Sequence, residues 1–175
     1  MKESISIKAH NSRYQLKTTQ TLYCKERELW KFICNPNNLS LITPSDLHFQ
    51  IISSKVKSKI FEGQKIKYTI QPFLKFHILW QSEIHGVIPG LEFQDKQIEG
   101  PFAYWNHHHK IDLADLNKII MHDIVDYELP YGKFGQAFGE FLINKKLKEI
   151  FEYRKEKFDL FFNKHEAKAK DFRFM

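Results

Sequence analysis

Cysteine is scarce: the chain has two, Cys24 and Cys34, and they do not form a C-x-x-C pair. Two such thiols fit a reducing compartment and leave little room for a disulfide framework. Glycine (7 residues) and proline (6 residues) are also few. No glycine-rich phosphate loop is present. No apolar run approaches the length of a bilayer span, so stable membrane insertion is not expected. The opening Met1-Lys-Glu-Ser-Ile-Ser-Ile lacks the pattern of a secretory leader. A cytoplasmic protein is the expectation. There is no internal repeat, low-complexity segment or break that marks a second domain. The expectation is one domain over residues 1–175, with a core at about 10–165 and a charged tail, 166–175, that frays.

Aromatic residues, by contrast, are abundant. Of 175 residues 16 are Phe, within a hydrophobic fraction of 42% and a charged fraction of 27%. Large rings bury much area and leave irregular gaps, which suits a core built around a cavity. The formal charge is +6. A solvated basic surface accounts for it, and a mild preference for anionic ligands or membrane surfaces is compatible with it. The lysines are spread along the chain and no recognition motif appears, so nucleic acid is not an expected partner.

Ser4 to Lys8 and Ser12 to Thr19 alternate in polarity, which predicts a first strand around 11–19. Lys25 to Cys34 reads as a short helix stopped by Asn35-Pro36, followed by a loop with at most one helical turn ending near Ile42. Further strands are expected at Phe49 to Val56, Gln64 to Ile70, Phe76 to Val87, Leu91 to Ile98, around Trp105 to Ile111, and from about Ile119 to Leu129. Glu62-Gly63, Pro89-Gly90 and Gly100-Pro101 are the turn signals between them. From Phe134 to about His165 the apolar residues fall at helical spacing, including Phe138, Phe141, Leu142, Leu147, Ile150, Phe151, Phe158, Phe161 and Phe162. The predicted class is α+β: an antiparallel meander with one long C-terminal amphipathic helix to cover it. A curved sheet gripping a helix leaves space for a ligand between them.

Several segments resemble the SRPBCC, or START-like, superfamily, in particular a stand-alone bacterial branch sometimes labelled cell-division inhibitor or cyclase/dehydrase-like. They are Glu28-Leu-Trp-Lys-Phe-Ile-Cys-Asn-Pro-Asn-Asn-Leu-Ser-Leu-Ile-Thr-Pro44, Phe93-Gln-Asp95 leading to Gly100-Pro-Phe102, Trp105-x-His-x-His109, Met121-x-Asp123 leading to Asp126-Tyr-Glu-Leu-Pro130, and Phe151-x-Tyr-Arg154. The resemblance spans roughly residues 10–162. It implies a single START-like domain with the helix-grip fold, six to seven strands wrapped around the C-terminal helix. It also implies a deep, mainly apolar cavity for a hydrophobic or lipid-like small molecule, and a possible functional link to an epimerase-like protein. Such relatives often carry a glycine-rich turn where this chain has Asp112-Leu-Ala-Asp-Leu-Asn-Lys118.

Chemistry concentrates at Trp105-Asn-His-His-His-Lys-Ile111. On a strand, alternation turns Trp105, His107, His109 and Ile111 to one face and His108 to the other. If a three-residue loop, Ala114 to Leu116, joins this strand to the next, His107 stands opposite Asp123, His109 opposite Met121 and Trp105 opposite Val125, with Tyr127 on the same face. A two-residue turn would put His122 there instead. Three readings compete. The His–Asp pair braces two strands inside a core. Or it forms the polar end of a ligand cavity walled by Trp80 and Trp105. Or His-x-His with a cross-strand carboxylate holds a metal, although H-x-H is a weak signal and no cysteine or further acidic ligand is obviously placed.

Arg154 falls on the buried stripe of the long helix, where it needs a salt bridge to Asp95, Asp123 or Glu128, or serves to anchor an anionic ligand group. No nucleophile with a base beside it is identifiable. The expected function is binding of a hydrophobic small molecule, with or without an acidic group, as carrier or sensor. Its expected ligand-binding residues are Trp80, Trp105, His107, His109, Asp123, Tyr127 and Arg154. No catalytic residue, metal or cofactor is assigned. The alternatives are a cyclase/aldolase-type enzyme using His107 and Asp123 as acid and base, and an interaction protein that docks its Phe-rich helix on a partner.

Overall fold

A computed structural model describes residues 4–54, 56–72 and 76–163, with the backbone alone at Ser4 and residues 133–138. The tail expected to fray, and the side chains of Phe134 and Phe138, lie outside the described residues. One antiparallel sheet of eight strands runs in the order β1-β2-β8-β7-β6-β5-β4-β3. Its strands are β1 (Ser4–His10), β2 (Arg13–Leu22), β3 (Gln50–Ile51), β4 (Lys65–Ile70), β5 (Ile78–Ile88), β6 (Glu92–Glu99), β7 (Tyr104–Asp115) and β8 (Lys118–Glu128). Helix α1 (Glu26–Ile33) and two 3-10 turns (Pro36–Leu41 and Ser45–Leu47) follow β2, and α2 (Gly132–Phe162) closes the chain. This is the helix-grip fold. No helix among the described residues is long and apolar enough to cross a membrane.

The N-terminal stretch forms a strand of its own, which brings the total above the six to seven expected. Asn11, in the left-handed region at φ 57°, makes the β1–β2 turn, a conformation asparagine tolerates. The strand expected over Phe49 to Val56 shortens to Gln50–Ile51. Ser53 explains the early end. Its hydroxyl accepts from the Lys67 N–H at 2.7 Å, and so takes a donor that a continued ladder would have used.

Alternation is strict where the sheet is buried on one face. Along β8, Ile119, Met121, Asp123, Val125 and Tyr127 point inward. Along β7, Trp105, His107, His109 and Ile111 do so. Helix α2 lies across this inner face. Leu147 and Phe151 pack with Trp80, Trp105, Val125 and Tyr127. Phe158 packs with Leu22, Leu29, Ile111, Ile119 and Met121. The buried stripe therefore runs 147, 151, 154, 158, a spacing of four and three residues. Phe141, Leu142 and Phe161, expected to share in the apolar face, are 77%, 57% and 41% exposed because that stripe turns them outward.

The β7–β8 register differs from the expected one. His107 stands opposite Val125, His109 opposite Asp123 and Trp105 opposite Tyr127, a slip of two residues that preserves which side chains face inward. The turn itself has two residues, Leu116-Asn117, after the pair Asp115–Lys118. A bulge at Ala114 restores Leu113 to Ile119. With the extra residue, a two-residue turn still leaves Asp123 inside and His122 outside.

Candidate functional site

Between the inner face of the sheet and α2 lies a cavity of about 300 Å³. Its walls are apolar for most of their extent: Leu39, Ile60, Ile66, Ile84, Ile150 and Phe158 are among them. A polar patch made by Ser82, Asp95, His107, His109 and Arg154 interrupts them.

Three adjacent strands assemble this patch. His107 on β7 is flanked by Asp95 on β6 and Val125 on β8. Two residues along, His109 is flanked by Phe93 and Asp123. The polar contacts run diagonally, which inward-facing side chains of this length can span. His107 Nε2 donates to Asp123 Oδ1 at 2.8 Å, and His109 Nε2 donates to Asp95 Oδ2 at 3.1 Å. His107 Nδ1 lies 3.6 Å from Asp95 Oδ2. His109 Nδ1 lies 3.0 Å from Asp123 Oδ1, close enough for charge attraction but without an aligned hydrogen bond. Aromatic rings hold both imidazoles in place: Phe93 stacks on His109 at 4.4 Å, and Phe151 meets His107 edge-on at 5.4 Å.

A chain of donors fixes Asp95 from the other side. Trp80 Nε1 donates to Ser82 Oγ at 3.1 Å, and Ser82 Oγ donates to Asp95 Oδ1 at 3.3 Å. With its proton committed to Asp95, Ser82 Oγ accepts from the Tyr68 hydroxyl at 3.3 Å. Arg154 approaches from α2 with Nη1 3.7 Å from Asp123 Oδ1. Its guanidinium lies over the Phe151 ring at 5.0 Å. Its Nε is buried without a hydrogen-bond partner.

These neighbours set the charges. Burial alone would raise both carboxyls. The imidazole contacts and the Arg154 charge outweigh it, holding Asp95 below, and Asp123 well below, the ordinary value of 3.8. Burial, reinforced by charge on His109, pushes His107 down to about 4 against the pull of Asp123 and Asp95. For His109 burial again opposes charge, but the carboxylates of Asp123 and Asp95 win and the group is raised. The patch thus gathers two carboxylates, the Arg154 guanidinium and a His109 held toward its charged form around a neutral His107. Each buried charge faces a partner of opposite sign, which is how a buried ionic cluster avoids an uncompensated charge.

Of the seven residues expected at the site, Trp80, Trp105, His107, His109 and Arg154 line the cavity, while Asp123 and Tyr127 do not. Asp123 sits behind the two imidazoles. Tyr127 is fully buried; its hydroxyl donates to Asn144 Oδ1 at 2.5 Å on α2, and its ring stacks on Tyr14 at 5.4 Å. Asp95 does line the cavity and was expected only as one of three possible partners of Arg154. The alternation Phe93, Asp95 on β6 placed it on the inner face, but its contact with both histidines required the β6–β7 register.

No protein-family model matches the sequence, and no curated protein matches it. Solved structures do match by fold. An aromatase/cyclase from a Streptomyces species has TM-score 0.66 at 11% identity, over 83% of this chain and 91% of that one. A major latex-like protein from Panax ginseng has TM-score 0.63 at 10% identity, over 86% and 98%. Norcoclaurine synthase from Thalictrum flavum, solved with dopamine and hydroxybenzaldehyde, has TM-score 0.58 at 11% identity, over 82% and 85%. These likenesses establish the helix-grip fold.

Proposed function

We propose that the protein binds a hydrophobic, lipid-like small molecule between the sheet and α2, as a carrier or sensor in the cytoplasm. The observation that supports this most directly is a mainly apolar cavity of about 300 Å³ with a clustered polar patch in its wall, the usual layout of a small-molecule site. The apolar walls take the body of the ligand and the patch takes its polar group. Arg154, whose buried Nε has no hydrogen-bond partner, suits an acidic or carbonyl oxygen there. The synthase of the same fold, solved with two small aromatic molecules, is in keeping with this use of the cavity. The epimerase-like partner implied by the family resemblance would be the source or recipient of such a ligand. A thermal-shift screen of fatty acids, isoprenoids and aromatic polyketides tests the reading. Saturation at a hundred times the dissociation constant adds about 2.7 kcal/mol of stability; no stabilising compound in any class would count against it.

A second reading, an acid–base enzyme, is favoured by the state of His107. The ring is neutral, and Nε2–H is committed to Asp123. Nδ1 is then its basic atom. In that case His107→Gln would abolish turnover of a carbonyl substrate while leaving its binding intact.

A further inference from the structure

We propose that Asp95, His107 and His109 form a binding site for a divalent first-row transition ion such as Zn²⁺ or Fe²⁺, open to the cavity on one side. One ligand atom from each residue lies within 4.8 Å of the others. The atoms that converge are Asp95 Oδ2, His109 Nε2 at 3.1 Å from it and His107 Nδ1 at 3.6 Å from it. Ligands of a tetrahedral zinc with bonds of about 2.0–2.1 Å are separated by about 3.4 Å. The two observed spacings bracket that value, so Asp95 Oδ2 already stands at ligand-to-ligand distance from both imidazole nitrogens.

The surroundings are those of a metal site as well. A metal-bound histidine hands its other ring N–H to a carboxylate or carbonyl, which fixes the tautomer and orients the ring. Here one carboxylate serves both rings: Asp123 Oδ1 is 2.8 Å from His107 Nε2 and 3.0 Å from His109 Nδ1. His109 Nδ1, buried and without an aligned hydrogen bond, keeps its proton and turns it to Asp123 when the ion takes Nε2. Ser82 occupies Asp95 Oδ1 and leaves Oδ2 to the ion. The donor set, two imidazoles and one carboxylate, leaves coordination positions free. All three residues line the cavity, so a water or an oxygen atom of a cavity ligand can complete the shell. On entry the ion replaces the proton that His109 Nε2 gives to Asp95, and that proton leaves to solvent. The sequence offered Asp123 as the third ligand; the register makes it the outer support, and Asp95 the ligand. This site stands independently of which organic molecule occupies the cavity.

The test uses the full chain, stripped of metal with a chelator and titrated with Zn²⁺ by calorimetry and with Co²⁺ by visible absorption and proton NMR. One equivalent is expected to bind. Asp95→Asn and His109→Gln should weaken binding at least ~10-fold, and Ser82→Ala, which keeps every ligand, about 10-fold. His108→Gln should have no effect, since that ring lies on the outer face with Glu92 at 3.0 Å. In the Co²⁺-loaded wild-type protein two shifted imidazole N–H signals are expected, one from each of His107 and His109, and this readout needs no variant. The proposal is overturned if the folded wild-type chain takes up no stoichiometric ion, if the two N–H signals are absent, or if His108→Gln abolishes uptake.

Discussion

His107 donates to Asp123 across 2.8 Å although the two residues are not opposite each other on their strands. Asp123 stands directly across from His109, and the bond to His107 is a diagonal one. One carboxylate therefore faces two imidazoles and, at 3.7 Å, the Arg154 guanidinium. Replacing it leaves buried cationic groups short of a partner. Asp123→Asn is expected to destabilise the protein by about 3 kcal/mol. Asp126→Asn, on the outer face where the carboxylate accepts from Gln15 at 3.0 Å, should lose no more than about 1 kcal/mol. Urea denaturation of the two variants separates them, and equal losses would contradict the central placement of Asp123.

The cavity can be filled from the helix side. Ile150 lines it from α2 and is only partly buried, so Ile150→Phe has room to turn its ring inward. Stability should stay within about 1 kcal/mol of wild type, since filling a void offsets modest strain. Binding of any hydrophobic ligand identified for the wild type should fall at least ~10-fold. A close-packed core with no usable cavity would instead show a destabilised variant and no ligand to lose.

Two of the three tryptophans report on the same space. Trp80 and Trp105 meet edge to face at 5.1 Å and both line the cavity, whereas Trp30 does not line it and packs against Phe93 at 6.0 Å. Ligand entry is expected to change tryptophan emission. The change should survive Trp30→Phe and shrink in Trp80→Phe and Trp105→Phe. A response carried by Trp30 would place the ligand elsewhere.

Neither thiol is set up to react. Burial pushes Cys34 up to about 12 and Cys24, helped by the Glu28 charge, up to about 11. A raised thiol pKa leaves little thiolate, the reactive form, at neutral pH. Alkylation of the folded chain near pH 8 should be on the order of 100-fold slower than that of the unfolded chain. Rapid labelling of either cysteine would refute this picture of the packing around α1.

At one edge of the cavity, the Lys146 ammonium donates to Asp46 at 2.8 Å, tying α2 to the second 3-10 turn. That bond, against a smaller opposing effect of burial, holds the Asp46 carboxyl below its ordinary 3.8. A depressed carboxyl stabilises the fold above its unfolded value and loses that contribution as pH falls through the folded one. Asp46 is largely exposed, so the effect is small. Asp46→Asn should cost less than about 1 kcal/mol at neutral pH, progressively less as pH falls from the ordinary 3.8 through the lowered folded value, and less still in high salt. Urea midpoints across pH give the comparison.

The parts of this molecule that depend on parity were readable in the sequence. Strand alternation put Trp105, His107 and His109 inside and His108 outside. Helical spacing put Arg154 on the stripe with Leu147, Phe151 and Phe158. What depended on register was not readable. The turn at Leu116-Asn117, together with the one-residue bulge at Ala114, puts the β7–β8 pairs from Leu113 back to Tyr104 two residues away from the register of a loop at Ala114 to Leu116. The contact of Asp95 with both histidines depends on how the loop after β6 closes. Gln97 closes it with a side chain, donating to Phe102 O at 2.8 Å and accepting from Phe102 N at 3.2 Å, and no periodicity announces that. Apolar spacing also overstated the helix. Phe141 and Leu142 fit the amphipathic pattern, yet they are 77% and 57% exposed, while Ile143 beside them packs against the core.

The most direct test of the binding account is native mass spectrometry of the protein as purified from cells, before and after mild organic extraction. The account predicts a discrete added mass, removed by extraction, restored by returning the extracted compound, and absent from Ile150→Phe. A bare protein mass in every preparation, together with no stabilisation by any hydrophobic compound, would contradict it.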